Sequence, residues 1–266
     1  RTAREIGLAL LVFTAIAWLI WQGALAMEYK WQWYRVSPFF YRIVDDEFIF
    51  GPLYWGLIET LKLSFVAGIM AIIIGLMTAF ARMSTSRAGS KIATFYLEAI
   101  RNTPLIVQLF LFYFVLAPIF GIDRFCAGVL CLAFFEGSFA AEIIRGGIQG
   151  VDRGQFEASD AAGLTTYNKY RYIIMPQSLP LILPPLTGLL ISLIKHSAIV
   201  SVMAVSELTT TGLNLISDTF MALEVWFIIA GIYLTLTISL SIGVGQLEKK
   251  LNVANSSNRS PGGQRS

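Results

Sequence analysis

The residues able to act on a small polar solute are few, and they sit inside apolar surroundings. Lys195, His196 and Ser197 are consecutive within the apolar stretch Gln177–Val205, and Ser201 follows Ser197 by one helical turn. Glu136 lies in the apolar run Phe125–Ile144, and Gln108 in the run that Thr103-Pro104 opens. A cation at the centre of a bilayer costs about 2.5–3.5 kcal/mol on insertion scales. Lys195 must therefore face a polar cavity, a counter-charge or a subunit interface. A structural ion pair with an acid on another helix is the plainer alternative. Glu136 is subject to the same rule and reads as a cavity residue or an ion-pair partner. Gln108 can bond a solute or another helix, and helix packing is favoured. Glu98 and Arg101, three apart, read as a local pair, and Glu207 as an outward-pointing end of the broken stretch. An amine, an imidazole, hydroxyls, a carboxylate and an amide suit the holding of a solute. Nothing suggests covalent chemistry. There is no G-x-x-x-x-G-K-[ST] phosphate loop, and the single histidine rules out a multi-His metal site. Cys126 and Cys131 fall in one apolar run and read as packing residues, not a disulfide.

The elements that position these groups are membrane spans. The chain has 266 residues, 56% hydrophobic and 14% charged, with mean hydropathy +0.66. Soluble domains average about 45–50% apolar and about 25% charged. The apolar residues come in blocks near the roughly 20 needed to cross a bilayer. The predicted spans are Ile6–Ala26, Trp55–Ala81, Thr103–Pro118, Phe125–Ile144, the proline-broken Gln177–Val205, and Met221–Leu247. Ile92–Arg101 is expected to be a helix lying at or entering the membrane. Met27–Tyr54 is a polar-aromatic loop suited to an interface, and Glu207–Thr219 an outside loop without Lys or Arg. Ala24-Leu25-Ala26 resembles a signal-peptidase site, but the run before it is long and reads as an uncleaved anchor. Residues 251–266 read as a disordered tail after the transmembrane domain 55–250, with 1–54 a separate N-terminal span and loop. Lys and Arg concentrate on the side holding Arg4, Arg82, Arg87, Arg145 and Lys169, while Lys30, Arg35, Arg42 and Arg124 lie opposite. That asymmetry places both termini and the Val151–Met175 loop in the cytoplasm. The bases mark membrane edges, not a nucleic-acid face.

The cytoplasmic segment Val151–Pro176 is a polar, small-residue island. Gln155–Ala162 has helix-forming composition, Gly163 suits a left-handed helix end, Thr165 or Thr166 can cap a second short helix, and Pro176 ends it or starts the next element. Glu157-Ala158-Ser159, then Gly163, then Ile173 and Pro176 resemble the EAA loop of ABC importer permeases. Ser159 stands for the second Ala of that pattern, and Met175 for a Leu. Thr60–Ser64, Arg101–Gln108, Ala141–Ile148 and Pro176–Pro180 are similar to the polar amino acid branch of the same permeases, over about Trp55–Leu247. That branch usually has Arg-Gly-Thr-Pro where this chain has Arg101-Asn102-Thr103-Pro104, and often Lys-Asp-Thr-Ser where it has Lys195-His196-Ser197-Ala198.

The resemblance implies an all-α polytopic bundle of about six spans, a five-span importer core plus an N-terminal span, with a cytoplasmic coupling helix-turn-helix. It implies a non-enzymatic subunit of an ATP-driven bacterial amino acid importer in the inner membrane, working by alternating access. Glu157, Ala158, Ser159, Gly163, Ile173 and Pro176 would couple it to an ATP-binding cassette ATPase dimer, which holds the ATP and Mg. A second identical or related permease and a periplasmic or surface substrate-binding protein complete the expected assembly. No cofactor is expected in this chain. The missing Asp beside Lys195 leans the substrate toward glutamate or aspartate. The alternative is an ATPase-independent channel or ion-coupled carrier, for which a cytoplasmic loop of this spacing has no use. A non-transporting assembly subunit, with structural polar residues only, is a third reading.

Overall fold

The computed structural model describes residues 2–26 and 29–257. Among them, five helices are long and apolar enough to cross a membrane, and counting one bent pair as a span brings the number to six. Helix α1 (Thr2–Ala26) is largely apolar after Arg4 and Glu5, and its spanning window buries nothing against the rest of the chain. The expected loop after it is more ordered than a loop. A short helix α2 (Ser37–Phe40) leads into a hairpin of β1 (Tyr41–Val44) and β2 (Glu47–Phe50), with Tyr41 opposite Phe50 and Ile43 opposite Phe48. Asp45 and Asp46 turn it at φ 51° and 61°. Both are left-handed, as a two-residue hairpin turn requires, and Asp tolerates that region.

Helices α3 (Pro52–Met83) and α7 (Arg124–Gln149) form the centre of the bundle. Lipid tails are as apolar as leucine, so helices in a membrane associate through close packing of small residues. A Cβ on Gly75 would stand 2.7 Å from the Ala140 Cβ, and one on Gly137 would stand 2.9 Å from Ile74 Cγ2. Between them in sequence, α4 (Arg87–Arg101) and α5 (Leu105–Phe110) meet at a 105° bend, and α5 runs on through a π-helical stretch to α6 (Ala117–Phe120). Pro104 disfavours helical backbone at the residue before it. The predicted third span is thus one arm of a bent helix pair whose other arm is α4.

The Val151–Pro176 segment departs from a helix-turn-helix in one respect. α8 (Arg153–Ala161) ends at Gly163, whose φ is +71°. Leu164 N–H donates to Ser159 O at 3.1 Å and Gly163 N–H to Asp160 O at 3.0 Å, the paired bonds of a Schellman turn. Thr165 caps α9 (Thr166–Asn168), but α9 passes through a π-helical stretch directly into α10 (Met175–His196). The second helix is not short: it is the first part of a span. Pro180, Pro184 and Pro185 lie inside α10 without breaking it, which neighbouring helices and hydroxyls permit in membrane helices. A 3-10 stretch, Ser197–Met203, follows and ends at Ala204 with φ 52°.

The expected outside loop is a helix, α11 (Leu208–Thr219), and α12 (Ala222–Ser257) is the last span. The predicted disordered tail begins within α12; residues 258–266 lie outside the described residues. The apolar core has three parts. One joins Leu63, Leu109, Leu132, Leu193 and Met203; a second joins Ala79, Ala140, Ile148, Ile174 and Ile182 near α8; a third joins Phe39, Leu53, Leu208, Met221 and Val225 near the hairpin.

Candidate functional site

Glu136 is the thirteenth of the 26 residues of α7, on the stretch between Leu132 of the first core cluster and Ala140 of the second. It is 2% exposed. Its Oε1 lies 2.5 Å from His196 Nδ1, a hydrogen bond between the two side chains. His196 is the last residue of α10, so the pair joins the middle of one span to the point where another changes helical form. The His196 ring also meets Phe135 edge-on at 5.8 Å, and Phe135 lies 5.2 Å from Phe139. Over Phe139, at 5.5 Å, stands the guanidinium of Arg101, the last residue of α4.

Several expectations change here. Arg101 does not pair with Glu98 among the described residues; Glu98 accepts from Asn102 Nδ2 at 2.9 Å, because the bend after Arg101 turns the guanidinium toward α7. Lys195 is exposed and has no ion pair among the described residues. Glu136 has taken His196 as its partner instead. Ser197 is wholly buried, with its hydroxyl donating to Ile194 O at 2.6 Å, so it serves the helix end. Ser201 is half-buried in the 3-10 stretch. Gln108 Nε2 donates to Ile100 O at 2.7 Å and Thr103 O at 2.9 Å, which satisfies carbonyls freed at the end of α4. Its Oε1 is buried without a partner among the described residues. Cys131 packs in the core as expected, whereas Cys126 is exposed.

Glu207 was expected to point outward and is wholly buried. Its carboxylate accepts from Thr210 N at 2.6 Å, Thr209 N at 2.8 Å and Tyr233 Oη at 3.1 Å, so it caps α11 and ties that helix to α12. Burial pushes its carboxyl up from the ordinary value, and those donors pull it part of the way back. A further network, missed in the sequence, clasps α3 to α7: Arg82 and Arg145 both bond Glu142, the latter at 2.7 Å, and Arg145 reaches Gln149 at 2.6 Å.

At the other candidate region, Glu157, Ala158 and Gly163 are exposed, as is Pro176. Among the described residues Glu157 pairs with Arg153 alone, at 3.0 Å. Ser159 is buried, its hydroxyl donating to Gln155 O at 2.6 Å, and Ile173 is half-buried against the second core cluster. The exposed residues offer a surface, and the buried ones shape it.

A multi-pass helical bundle, with ionisable groups at mid-span between two broken helices, defines the membrane-embedded part of a transport system. The chain belongs to the family of binding-protein-dependent transport system inner membrane components, whose model matches residues 71–253. It is 38% identical over 198 residues to the "Probable glutamine ABC transporter permease protein GlnM" of Bacillus subtilis (strain 168), covering 74% of this chain and 91% of that one. It is 36% identical over 197 residues to the glutamine transport system permease protein GlnP of Escherichia coli (strain K12), covering 73% and 90%. A crystal structure of an amino acid ABC transporter with histidines superposes with TM-score 0.70 at 41% identity, over 75% of this chain and 94% of that one. The inward-facing MetNI methionine ABC transporter shares the fold, with TM-score 0.67 at 21% identity.

Proposed function

We propose that this chain is the permease subunit of an ATP-driven importer of polar amino acids, with an uncharged side chain such as that of glutamine preferred. The relatives named for glutamine support that substrate class. The lean toward glutamate or aspartate rested on a missing negative charge near Lys195. Glu136 supplies one 2.5 Å from the neighbouring His196, so the basis for an acidic substrate is gone. Lys195, His196, Ser197, Ser201, Glu136 and Gln108 then border the substrate pathway, Ser197 and Gln108 by holding its broken helices in shape.

The observation that carries the reading is the path of the chain through the loop. An exposed α8 with the EAA-like residues turns at Gly163, and from Thr166 the helix runs without a gap to His196. A push on α8 is thereby delivered along one rod to the residue that holds Glu136. A channel or ion-coupled carrier has no use for such a linkage. In this proposal an ATPase dimer, carrying ATP and Mg, docks on Glu157, Ala158 and Gly163 from the cytoplasm. Both termini lie on that side, a second permease completes the pathway, and a binding protein delivers substrate at the hairpin end. Purification from native membranes with mass identification of stoichiometric partners tests it. An ATPase subunit is the expected companion, and a chain that purifies alone as a stable oligomer refutes the reading.

A further inference from the structure

A cavity outside the proposed pathway lies at the base-rich edge of the bundle. It sits where α3 ends and the rod from α9 into α10 begins, and its volume is about 620 Å³. Phe80, Met83, Tyr170 and Met175 give it an apolar wall, and Phe80 meets Tyr170 edge-on at 6.1 Å between the two elements. Ser84, Thr166 and Arg171 also line it and are exposed, so they form its open side. Arg171 is the third residue of the π-helical stretch Lys169–Ile174, a helical form that recurs at functional sites.

The Arg171 guanidinium is held in place but not neutralised. It donates to Tyr167 Oη and stands 5.7 Å from the centre of the Tyr167 ring and 5.6 Å from that of Tyr172. Such rings orient a cation and leave its charge standing. Among the described residues Arg171 makes no ion pair, whereas Lys169 is paired with Asp160 at 2.6 Å and Arg82 with Glu142. A fixed guanidinium with donors left over suits a phosphate. The surroundings add to the field: Arg82 lies in the last turn of α3, and Arg87 and Lys91 lie at the start of α4. Bases gather at the cytoplasmic edge of membrane proteins, and basic pockets between spans on that side take anionic lipid headgroups.

We propose that this cavity binds one anionic phospholipid. Its phosphate rests on Arg171, its glycerol esters meet the Ser84 and Thr166 hydroxyls, and an acyl chain starts along Phe80 and Tyr170. A lipid held this way ties the end of α3 to the rod, next to the turn at Gly163, and stiffens the joint through which α8 drives α10. That effect on coupling rests on the transport reading above; the lipid site itself does not.

The purified permease–ATPase complex is titrated in detergent with phosphatidylglycerol and, separately, with phosphatidylcholine, and bound lipid is read by native mass spectrometry. Wild type is expected to hold phosphatidylglycerol more tightly, at a saturable site. R171Q is expected to weaken phosphatidylglycerol binding roughly tenfold, the worth of one hydrogen bond to a charged group, and to leave phosphatidylcholine binding unchanged. T166W, which blocks the open side and keeps the Arg171 charge, is expected to lose the tight binding too. Arg87 is exposed on the same edge and does not line the cavity, so R87Q should bind like wild type. Wild-type binding by R171Q overturns the site, and an ATPase shed by that variant would give the surface to the ATPase instead. An R87Q loss as large as that of R171Q also overturns it, by showing a diffuse attraction. In nanodiscs, phosphatidylglycerol should raise substrate-stimulated ATPase in wild type and not in R171Q; an equal response in both overturns the stiffening role alone. A permease that purifies without an ATPase refutes the transport reading, and the lipid titration is then read on the permease by itself.

Discussion

At the scale of single residues, Glu207 shows how a buried acid is made tolerable. It has no basic partner among the described residues; backbone N–H groups of Thr209 and Thr210, the Thr210 hydroxyl and the Tyr233 hydroxyl take that place. An Ala there removes an N-cap and strands buried donors. We expect Glu207→Ala to cost about 1–3 kcal/mol, read as a lower thermal midpoint of the purified complex. The pH dependence has a definite sign. Burial raises the carboxyl above its ordinary value, so the folded state binds the proton more tightly than the unfolded chain. The stability this contributes is present at low pH and is lost as pH rises from the ordinary carboxylate range through the raised value. A Glu207→Gln complex should lack that component of the pH profile. A profile identical to wild type would show that Glu207 does not titrate there.

At the scale of elements, two glycines do different work. Gly163 holds φ +71°, where a proline ring cannot go, and its N–H is bonded to Asp160 O. Gly163→Pro should leave the spans folded but break the turn between α8 and the rod leading to His196. The expected result in reconstituted complexes is loss of substrate-stimulated ATPase with basal hydrolysis retained; unchanged stimulation would refute the linkage. Gly75 instead permits contact. Gly75→Leu would drive a side chain into Ala140 and the backbone at Ala141, and overpacking of this kind typically costs about 1–3 kcal/mol. It should lower the thermal midpoint without selectively altering ATPase coupling. These elements also mark what was legible in advance. Long apolar blocks leave a membrane chain little choice but helix, and Gly163 announces its turn because few residues accept that backbone. α11 was illegible because Thr209-Thr210-Thr211 has weak helix propensity, and the helix is held from outside by Tyr233 and by Thr60, whose hydroxyl accepts from Leu208 N at 3.0 Å. The hairpin was overlooked although Tyr41, Ile43, Phe48 and Phe50 alternate as strands do. In the site, polarity within apolar runs drew attention to Glu136 and His196. Their pairing spans 60 residues of sequence and could be seen only in the fold. Arg101 was misassigned because spacing along a helix says nothing of a 105° bend just beyond it.

At the scale of the whole molecule, the bundle is asymmetric in a way that bears on Lys195. In their spanning windows α7 is 67% buried, α3 and the Thr166–Met203 helix 39% each and α12 only 6%, so α7 is the most enclosed of these spans and α12 lies at the outside. Lys195 is on the outside of this arrangement, near the end of α10 and next to the residue that covers Glu136. An exposed ammonium at that depth facing lipid would cost about 2.5–3.5 kcal/mol, and no acid among the described residues compensates it. The compensation must come from beyond this subunit, as water or as polar groups of a second one. In the assembled complex Lys195 should therefore line an aqueous pathway. With Cys126 replaced by Ser to remove the exposed native thiol, a Lys195→Cys variant should react with a charged, membrane-impermeant methanethiosulfonate, and L-glutamine should slow that reaction. Lys195→Ala should still assemble yet transport more slowly, because the positive charge that faces the pathway is gone. Reaction only with a membrane-permeant maleimide would put the residue in lipid and remove it from the pathway, and transport at the wild-type rate in Lys195→Ala would do the same. Reaction that is slow until the partner permease is dissociated would move it into the subunit interface, where its charge would serve assembly and not the solute.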